Sequence, residues 1–366
     1  MFTRHYAHWP AGLPKTLAVP RTSLYFNLQV SARRYPDKTA IHYYGADLTY
    51  ARLDAEVCAL AAYLTQRCGV KKGDRVLLYM QNSPQFIIGY YAILRADAVV
   101  VPVNPMNRTE ELRHYAEDSG AKVILAGQEL LPEAGPLLGT GLDHCVLAAY
   151  SDYIDPATDL PLPDFIRTPR ANPGRKDATV WADALAANLV PGEHRAGPDD
   201  LAVLPYTSGT TGKPKGCMHT HSSIMCTANG GVAWQNGTSQ AVVLGVLPMF
   251  HVTGMQGNMN TPLLLGATVV LMTRWDRDCA GELIQRKRVT SWTNITAMLI
   301  DFLANPKLDG YDLSSLTRVG GGGASMPEAI AQKLQDKVGL PYLEGYGLTE
   351  TAAPPHVTPV SRPQQQ

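Results

Sequence analysis

The sequence predicts an α/β fold in which two doubly wound sheets pack together and are flanked by helices. Runs rich in Val, Ile and Leu recur along the chain with single helical segments between them, a pattern typical of parallel strands that are buried on both faces. The chain has 366 residues, of which 45% are hydrophobic and 17% are charged. It can therefore bury the extensive core that such a fold requires.

The first half of the chain alternates between strand and helix from about residue 39 to residue 126. Apolar residues recur at helical spacing from Thr49 to about Arg67, and Ser83 precedes a proline, which favours the start of a helix. The predicted elements of this half are a hairpin that turns at Gly45, helices that begin at Thr49, Ser83 and Thr109, and strands at residues 75–80, 98–103 and 122–126.

Two segments interrupt this alternation before it resumes. Residues 150–176 are rich in Pro and Asp and show no period, so we expect a surface excursion there. Residues 190–200 form a second break in the alternation. Earlier in the chain, Asp97 is expected to lie in a solvent-facing turn. Further strands are predicted at residues 201–207, 241–248, 267–272, 289–292, 317–323 and 342–347.

The composition disfavours several classes of protein. Lys plus Arg and Asp plus Glu both number 32, and no basic surface interleaved with aromatic residues is visible, so we expect no nucleic-acid partner. The six cysteines include no CxxC pair, which favours free thiols in a reducing, cytoplasmic compartment. The N-terminus lacks the apolar core of a signal peptide. Arg95 and Asp97 make residues 86–103 a buried helix and strand rather than a transmembrane segment.

The run from Tyr206 to Gly216, YTSGTTGKPKG, has the composition of a phosphate-binding loop. Its glycines let backbone N–H groups turn inward, its hydroxyls add donors, and its lysines add positive charge. Pro214 follows the Gly-Lys pair, so the run does not satisfy the pattern of the NTPase P-loop. The residues predicted to bind phosphate are Thr207, Ser208, Gly209, Thr210, Thr211, Gly212, Lys213 and Lys215.

This run resembles the signature loop of the adenylate-forming superfamily, which includes acyl-CoA synthetases, peptide-synthetase adenylation domains and beetle luciferases. Three further runs follow in the order that is typical of the family, namely PMFHVTG (248–254), GGGASM (321–326) and GYGLTET (345–351). LTYARLD (48–54) also resembles the early helix start of the family.

The resemblance implies a truncated N-terminal adenylation domain, most like that of a bacterial fatty-acid–CoA ligase, without the family's C-terminal domain. It implies a first α/β subdomain at about residues 20–200 and a second, with the phosphate loop and the acyl pocket, at residues 201–350. Residues 351–366 would begin a third, barrel-like subdomain that is mostly absent.

By the same resemblance, the segments after the last two predicted strands bind the nucleotide. Tyr346 would contact adenine, Thr349 the α-phosphate, and Glu350 a Mg²⁺ ion, which prefers hard oxygen ligands. The predicted catalytic residues are Lys215, His251, Thr349 and Glu350. The other residues assigned to ATP or AMP are Gly323, Ala324, Ser325, Glu344, Gly345 and Gly347.

The resemblance places His251 beside the carboxylate of the acid substrate and its entry tunnel. No acidic residue follows Phe250 to pair with an ammonium group, which disfavours amino acids as substrates. Small residues in the helix after the phosphate loop suit either a long acyl tail or close helix packing, and both interpretations stay open. The predicted acyl pocket contains Ala228, Gly231, His251, Asn294, Ala297 and Met298.

The implied activity is the conversion of a carboxylic acid to acyl-AMP with ATP and Mg²⁺, and then to acyl-CoA with coenzyme A. A medium- or long-chain fatty acid is the favoured substrate. An aryl acid, and a nucleotide-binding fragment without turnover, are the alternatives. His219 and His221 could suggest zinc, but no third ligand is visible in the sequence. The sequence leaves a homodimer open.

Overall fold

The structure is a computed structural model, and it describes residues 3–207, 212–354 and 356–359. The strands are β1 (Thr39–Tyr43), β2 (Ala46–Thr49), β3 (Arg75–Tyr79), β4 (Val99–Val103), β5 (Val123–Gly127), β6 (His144–Ala148), β7 (Ala178–Val180), β8 (Leu201–Val203), β9 (Tyr206–Thr207), β10 (Lys215–Gly216), β11 (His219–Thr220), β12 (Val242–Gly245), β13 (Thr268–Leu271), β14 (Ser291–Ile295), β15 (Arg318–Gly322), β16 (Tyr342–Tyr346) and β17 (His356–Val357).

Helices connect most of these strands, and a π-helical turn at Gln256–Asn260 joins the helices Val252–Met255 and Thr261–Leu265 into one. The helices are α1 (Leu24–Arg34), α2 (Tyr50–Gln66), α3 (Pro84–Arg95), α4 (Thr109–Ser119), α5 (Leu131–Ala134), α6 (Trp181–Leu185), α7 (His221–Gln235), α8 (Val252–Met255), α9 (Thr261–Leu265), α10 (Arg277–Lys287), α11 (Thr296–Leu303) and α12 (Glu328–Val338).

Two mainly parallel sheets form the core, which confirms the predicted fold class. Within the described residues, the first sheet has the order β11-β8-β4-β3-β5-β6-β7, with β11 antiparallel to β8. The second has the order β17-β16-β15-β14-β12-β13-β1-β2, with antiparallel strands at its two ends. No barrel is formed by the described part of the chain.

The sheets do not divide at residue 200, where a boundary between subdomains is expected. The N-terminal hairpin β1-β2 joins the second sheet, and Ile41 lies opposite Val269. Conversely, β8 and β11 flank the phosphate-loop segment and join the first sheet. Each half of the chain therefore supplies strands to the sheet of the other half.

Helix α3 packs between the sheets and explains the apolar character of residues 86–103. Its residues from Pro84 to Leu94 are buried on every side, and one hydrophobic cluster joins it to both sheets. The hydroxyl of Ser83 accepts a hydrogen bond from the N–H of Phe86 at 3.1 Å and so caps its first turn. None of the helices in the described residues is long and apolar enough to cross a membrane.

The two irregular segments are more firmly attached than expected. In residues 150–176, Tyr150 and Ile166 are buried, so the expectation of a surface excursion is wrong for these anchors. Asp97 is also not a simple solvent-facing turn, because its carboxylate accepts hydrogen bonds from the N–H groups of Arg195 and Ala196 at 2.9 Å. It thereby fastens the segment at residues 190–200 to the start of β4.

Candidate functional site

Two of the predicted nucleotide motifs, those that follow β15 and β16, meet at one edge of the second sheet. Strands β14, β15 and β16 are parallel neighbours, so their carboxyl ends lie side by side. Gly323, Ala324 and Ser325 follow β15, while Gly347 and Thr349 follow β16. The carboxyl edge of a parallel sheet is the usual place for a ligand in an open α/β fold.

The glycines of β15 are required mainly by the neighbouring strands. A Cβ on Gly321 would overlap the carbonyl oxygen of Asn294 in β14, so this strand tolerates no side chain there. Gly323 differs, because its φ is +89° and the atom nearest to its missing Cβ is 3.9 Å away. The predicted bare backbone for a flat ligand therefore fits the turn at Gly323 better than the strand before it.

Polar contacts hold this turn in place while its surface stays open. The Glu344 carboxylate in β16 accepts a hydrogen bond from the N–H of Met326 at 3.2 Å, and the Thr296 hydroxyl donates to the carbonyl oxygen of Ala324 at 3.2 Å. Tyr346 is 63% exposed, so its ring is free to stack on a base. Gly345 pairs with Val357 of β17.

The turn that carries Thr349 and Glu350 is tied to the phosphate-loop segment by a residue that sequence reasoning missed. His219 is buried, and its Nε2 lies 2.8 Å from the carbonyl oxygen of Thr349. His221 instead accepts a hydrogen bond from the N–H of Leu24 through Nδ1 at 3.1 Å. No group of three or more His, Cys, Asp or Glu side chains is placed to hold a metal among the described residues.

Glu350 has the properties that a Mg²⁺ ligand needs. It is exposed, and its carboxylate makes no hydrogen bond or ion pair with any described residue. Burial raises the pKa of the Cys217 thiol, and the charge of Glu350 nearby raises it further. A free carboxylate of this kind, with substrate phosphates as further ligands, fits the oxygen chemistry of Mg²⁺.

The base of the phosphate loop is a short hairpin anchored on α4. Strands β9 and β10 pair Thr207 with Lys215, and the side chains of Lys213 and Lys215 are exposed. The Tyr206 ring stacks on Tyr115 of α4 at 4.2 Å. Four of the predicted phosphate-binding residues, Ser208, Gly209, Thr210 and Thr211, lie outside the described residues.

Other atoms of α4 also contact the loop segment. The Tyr206 hydroxyl donates to Asp118 at 2.6 Å, and Nε2 of His114 lies 3.0 Å from the carbonyl oxygen of Pro214. Gly212 is exposed and has open space in place of a Cβ. Both ends of the loop are therefore held by the first sheet layer, with the lysines turned to solvent.

The predicted acid-binding residues are only partly brought together. His251 is the N-cap residue immediately before α8 and is exposed. Desolvation of its imidazole by neighbouring atoms lowers the pKa of His251, so the ring is neutral near pH 7. Asn294 is fully buried and accepts a hydrogen bond from the Tyr342 hydroxyl at 3.2 Å. Ala297 and Met298 of α11 follow β14 and stay at least partly open to solvent.

The small residues of α7 serve different neighbours. The side chain of Leu17 lies 3.6 Å from the missing Cβ of Gly230, an ordinary contact distance. Gly231 lies 3.9 Å by the same measure from Thr261 in α9, an ordinary contact that leaves room. Ala228 is buried. A Cβ at Gly230 or Gly231 would make only ordinary contacts, so the acyl-tail interpretation of these small residues stays a prediction beside that of close packing.

Comparisons with known proteins agree with this geometry. Residues 28–366 match the AMP-binding enzyme family. The chain is 33% identical over 369 residues to a long-chain-fatty-acid–CoA ligase of Bacillus subtilis, with 96% of this chain and 64% of that protein covered. It is 29% identical to 4-coumarate–CoA ligase 3 of Arabidopsis thaliana, with 84% of this chain and 52% of that protein covered.

A solved structure agrees over a similar span. The inhibitor-bound N-terminal domain of FACL13 from Mycobacterium tuberculosis superimposes with a TM-score of 0.79 at 26% identity, covering 93% of this chain and 79% of that one. The chain thus spans less than two thirds of the length of the two curated relatives and a larger share of this single domain.

Proposed function

The chain belongs to the AMP-binding enzyme family, and we propose that it activates a carboxylic acid with ATP. The carboxylate would attack the α-phosphorus, with pyrophosphate leaving and acyl-AMP forming; in the whole protein, the thiol of coenzyme A would then displace AMP to form the thioester. The observation that carries the proposal is the convergence of the Gly323 turn and the Thr349–Glu350 turn at one sheet edge, with His219 linking the latter to the phosphate-loop segment.

Each residue has a role in holding two anions together. Lys213 and Lys215 supply positive charge to the β- and γ-phosphates, and the Thr349 hydroxyl donates to the α-phosphate. Tyr346 stacks on adenine beside the turn at Gly323. Glu350 would hold Mg²⁺, which supplies charge neutralisation at the phosphates.

We propose a medium- or long-chain fatty acid as the substrate, supported by the relative from Bacillus subtilis. An aryl acid is the second candidate, supported by the relative that is a 4-coumarate–CoA ligase. The neutral His251 would lie beside the reacting carboxylate, and no acidic residue follows Phe250 that could favour an amino acid.

We further propose that the chain corresponds to the large N-terminal domain of the family, since a solved N-terminal domain covers 93% of it. A cytoplasmic location is proposed because all six cysteines are free thiols.

A thermal-shift series tests the proposed binding site. The ligands are ATP with Mg²⁺ and non-hydrolysable acyl-AMP analogues of octanoate, palmitate and benzoate. At a ligand concentration of about 100 times Kd, binding adds about 2.7 kcal/mol to the free energy of unfolding. We expect Glu350→Gln to reduce the shift given by ATP with Mg²⁺, while Glu328→Gln, an exposed change in α12, leaves it unchanged.

Pyrophosphate release separates turnover from binding alone. Release that depends on an added acid supports the ligase proposal and ranks the acids. A thermal shift with ATP and no release under any acid would support the alternative, a chain that binds nucleotide without turnover. No shift with any ligand would contradict the assigned site itself.

A further inference from the structure

The chain folds back sharply after the turn that carries Thr349 and Glu350. Ala352 and Ala353 have φ values of +57° and +71°, a region that residues with a side chain enter only at an energetic cost. Both alanines are nonetheless at most 2% exposed. The surrounding packing therefore holds a strained backbone in place at this point of the chain.

The same fold-back explains Gly347 and leads into β17. A Cβ on Gly347 would lie 2.8 Å from the Cα of Pro354, so the returning chain passes too close for a side chain there. The return brings His356 of β17 directly opposite Tyr346 of β16. Backbone strain that persists in a folded protein is typical of sites where a position matters, and the position reached here is that of His356.

His356, Tyr346 and Gly323 lie side by side across three neighbouring strands or their ends. Strand β16 lies between β17 and β15. Gly322 is opposite Gly345, so the next residue along each chain puts Gly323 beside Tyr346. Gly323 is the residue whose missing Cβ leaves open space. The Tyr346 ring thus has the candidate base-binding turn on one flank and His356 on the other.

The rings of Tyr346 and His356 are close enough to restrict each other. Their centroids are 6.2 Å apart and their planes are inclined at 53°, within the range of aromatic pairs. Both side chains are exposed. An exposed ring loses rotamer freedom when a base stacks on it, and this loss weakens binding unless a neighbour has already restricted the ring.

We propose that His356 is a positioning residue for the nucleotide base and acts through Tyr346. Its imidazole packs on the flank of the phenol ring that faces away from Gly323, and so holds that ring ready for adenine. The inference rests on the proposed function, in which Tyr346 stacks on adenine, and it adds β17 to the nucleotide site. The strained return at Ala352 and Ala353 is then the cost of placing His356 there.

The competing explanation is that β17 only covers the edge of β16. A short strand at the end of a sheet limits association with other chains, and its backbone is sufficient for that purpose. The side chain at position 356 would then have no effect on nucleotide binding. A positioning residue instead affects binding only while the ring that it positions is present.

A double-mutant cycle separates these explanations, with the Kd of ATP and Mg²⁺ measured by calorimetry on the full chain. The variants are His356→Ala, Tyr346→Ala and the two changes together. A residue that acts through Tyr346 loses its effect once that ring is gone, whereas general damage to the fold persists in either background. In two further variants, His356→Phe keeps a ring, and Val357→Ala alters the next side chain, on the other face of β17.

We expect His356→Ala to weaken the binding of ATP about threefold to tenfold, the range of an aromatic pair. The same change should have no further effect in Tyr346→Ala. His356→Phe should keep most of the affinity, and Val357→Ala should leave it unchanged.

Two results would overturn the inference and leave the proposed function standing, namely unchanged affinity in His356→Ala, or an equal effect of that change with and without the Tyr346 ring. Unchanged affinity in Tyr346→Ala, or failure of the full chain to bind ATP, would overturn the assigned base site and the inference with it.

Discussion

Single residues connect parts of the candidate site that lie far apart in the sequence. His219 contacts the carbonyl oxygen of Thr349 across 130 positions, and Asp97 holds the backbone at Arg195 across 98 positions. Neither residue lies in a predicted site. Their importance comes from backbone groups that would otherwise stay unpaired or free to move.

Replacing His219 by Leu should loosen the turn that carries Thr349 and Glu350. The variant loses the contact with the Thr349 carbonyl, and a lost hydrogen bond of this kind costs about 1 kcal/mol. We expect severalfold weaker binding of ATP with Mg²⁺, measured by calorimetry. His219→Gln, which can still donate to the carbonyl, should recover part of the affinity, and His144→Gln, in β6 towards the opposite edge of the same sheet, should have no effect. Full affinity in the Leu variant would contradict the role.

The stability of the protein should fall in mild acid because of His221. Burial lowers the pKa of His221 from 6.5 to about 4, and the charges of His194 and Lys72 act in the same direction, against Asp200 and Asp97. A histidine with a lowered pKa in the folded state takes up its proton more readily when the chain unfolds. Stability is therefore lost as the pH falls from about 6.5 towards 4, by about 3 kcal/mol in total.

Urea unfolding at a series of pH values measures this loss. His221→Gln removes the titration, so its stability should change less between pH 7 and pH 5 than that of the unchanged chain. If the free energy of unfolding depends on pH equally in the two proteins, the acid sensitivity belongs to other groups.

At the scale of elements, contacts with neighbouring strands limit which side chains β15 tolerates. In the turn after β15, the backbone conformation sets this limit. Gly321→Ala should be strongly destabilising, because a Cβ there meets the backbone of β14 and the strands would have to separate. Gly323→Ala should cost about 1 kcal/mol, since it forces a positive φ on a residue with a side chain but creates no overlap. Urea unfolding compares the two; a smaller loss for Gly321→Ala would contradict the packing explanation.

Helix α4 should set how readily the phosphate loop closes on a nucleotide. Tyr115→Leu removes the ring stacked on Tyr206, and aromatic pairs of this kind contribute about 1 kcal/mol. We expect severalfold weaker binding of ATP with little change in overall stability. Tyr63→Phe, which alters a hydroxyl contact with Thr179 away from the loop, is the control, and an equal effect of both changes would count against an anchoring role for α4.

At the scale of the whole molecule, the two halves of the chain depend on each other. The first half supplies β1 and β2 to the second sheet, and the second half supplies β8 and β11 to the first. Fragments 1–200 and 201–366 should therefore fail to fold separately, while a mixture of both should regain part of the near-UV circular dichroism of the intact chain. Independent cooperative unfolding of either fragment would contradict this dependence.

Local sequence patterns predicted the secondary-structure elements well but did not predict which strands pair. The strand at Val99–Val103 and the helix from Tyr50 are recognisable from apolar runs and spacing, because those signals lie within a few residues. The pairing of Ile41 with Val269 has no local signal, since any apolar strand could take that place. For this reason the division expected at residue 200 missed the exchange of strands.

The candidate site could likewise be predicted from the sequence only where local patterns and parallel topology determine it. The turns at Gly323 and Thr349 follow strands that the sequence predicts, so their meeting at one sheet edge follows from parallel topology. The contact made by His219 depends on a backbone carbonyl in a distant turn, which no residue type encodes. Asn294 lies in a segment that the sequence assigns to the acyl pocket, yet its hydrogen bond to Tyr342 depends on the register of β14 and β16 with β15, which no local pattern encodes.

Strand β13 is translated more than two hundred residues after its partner β1, which has a consequence for synthesis on the ribosome. The hairpin β1-β2 emerges first, but its partner strand ends at Leu271, and translation proceeds at roughly 5–20 residues per second. For many seconds the nascent hairpin therefore presents an unpaired strand edge, which is a template for association with other chains. A cell that makes this protein would have to shield that edge during translation, and slowing translation before Leu271 should increase its aggregation.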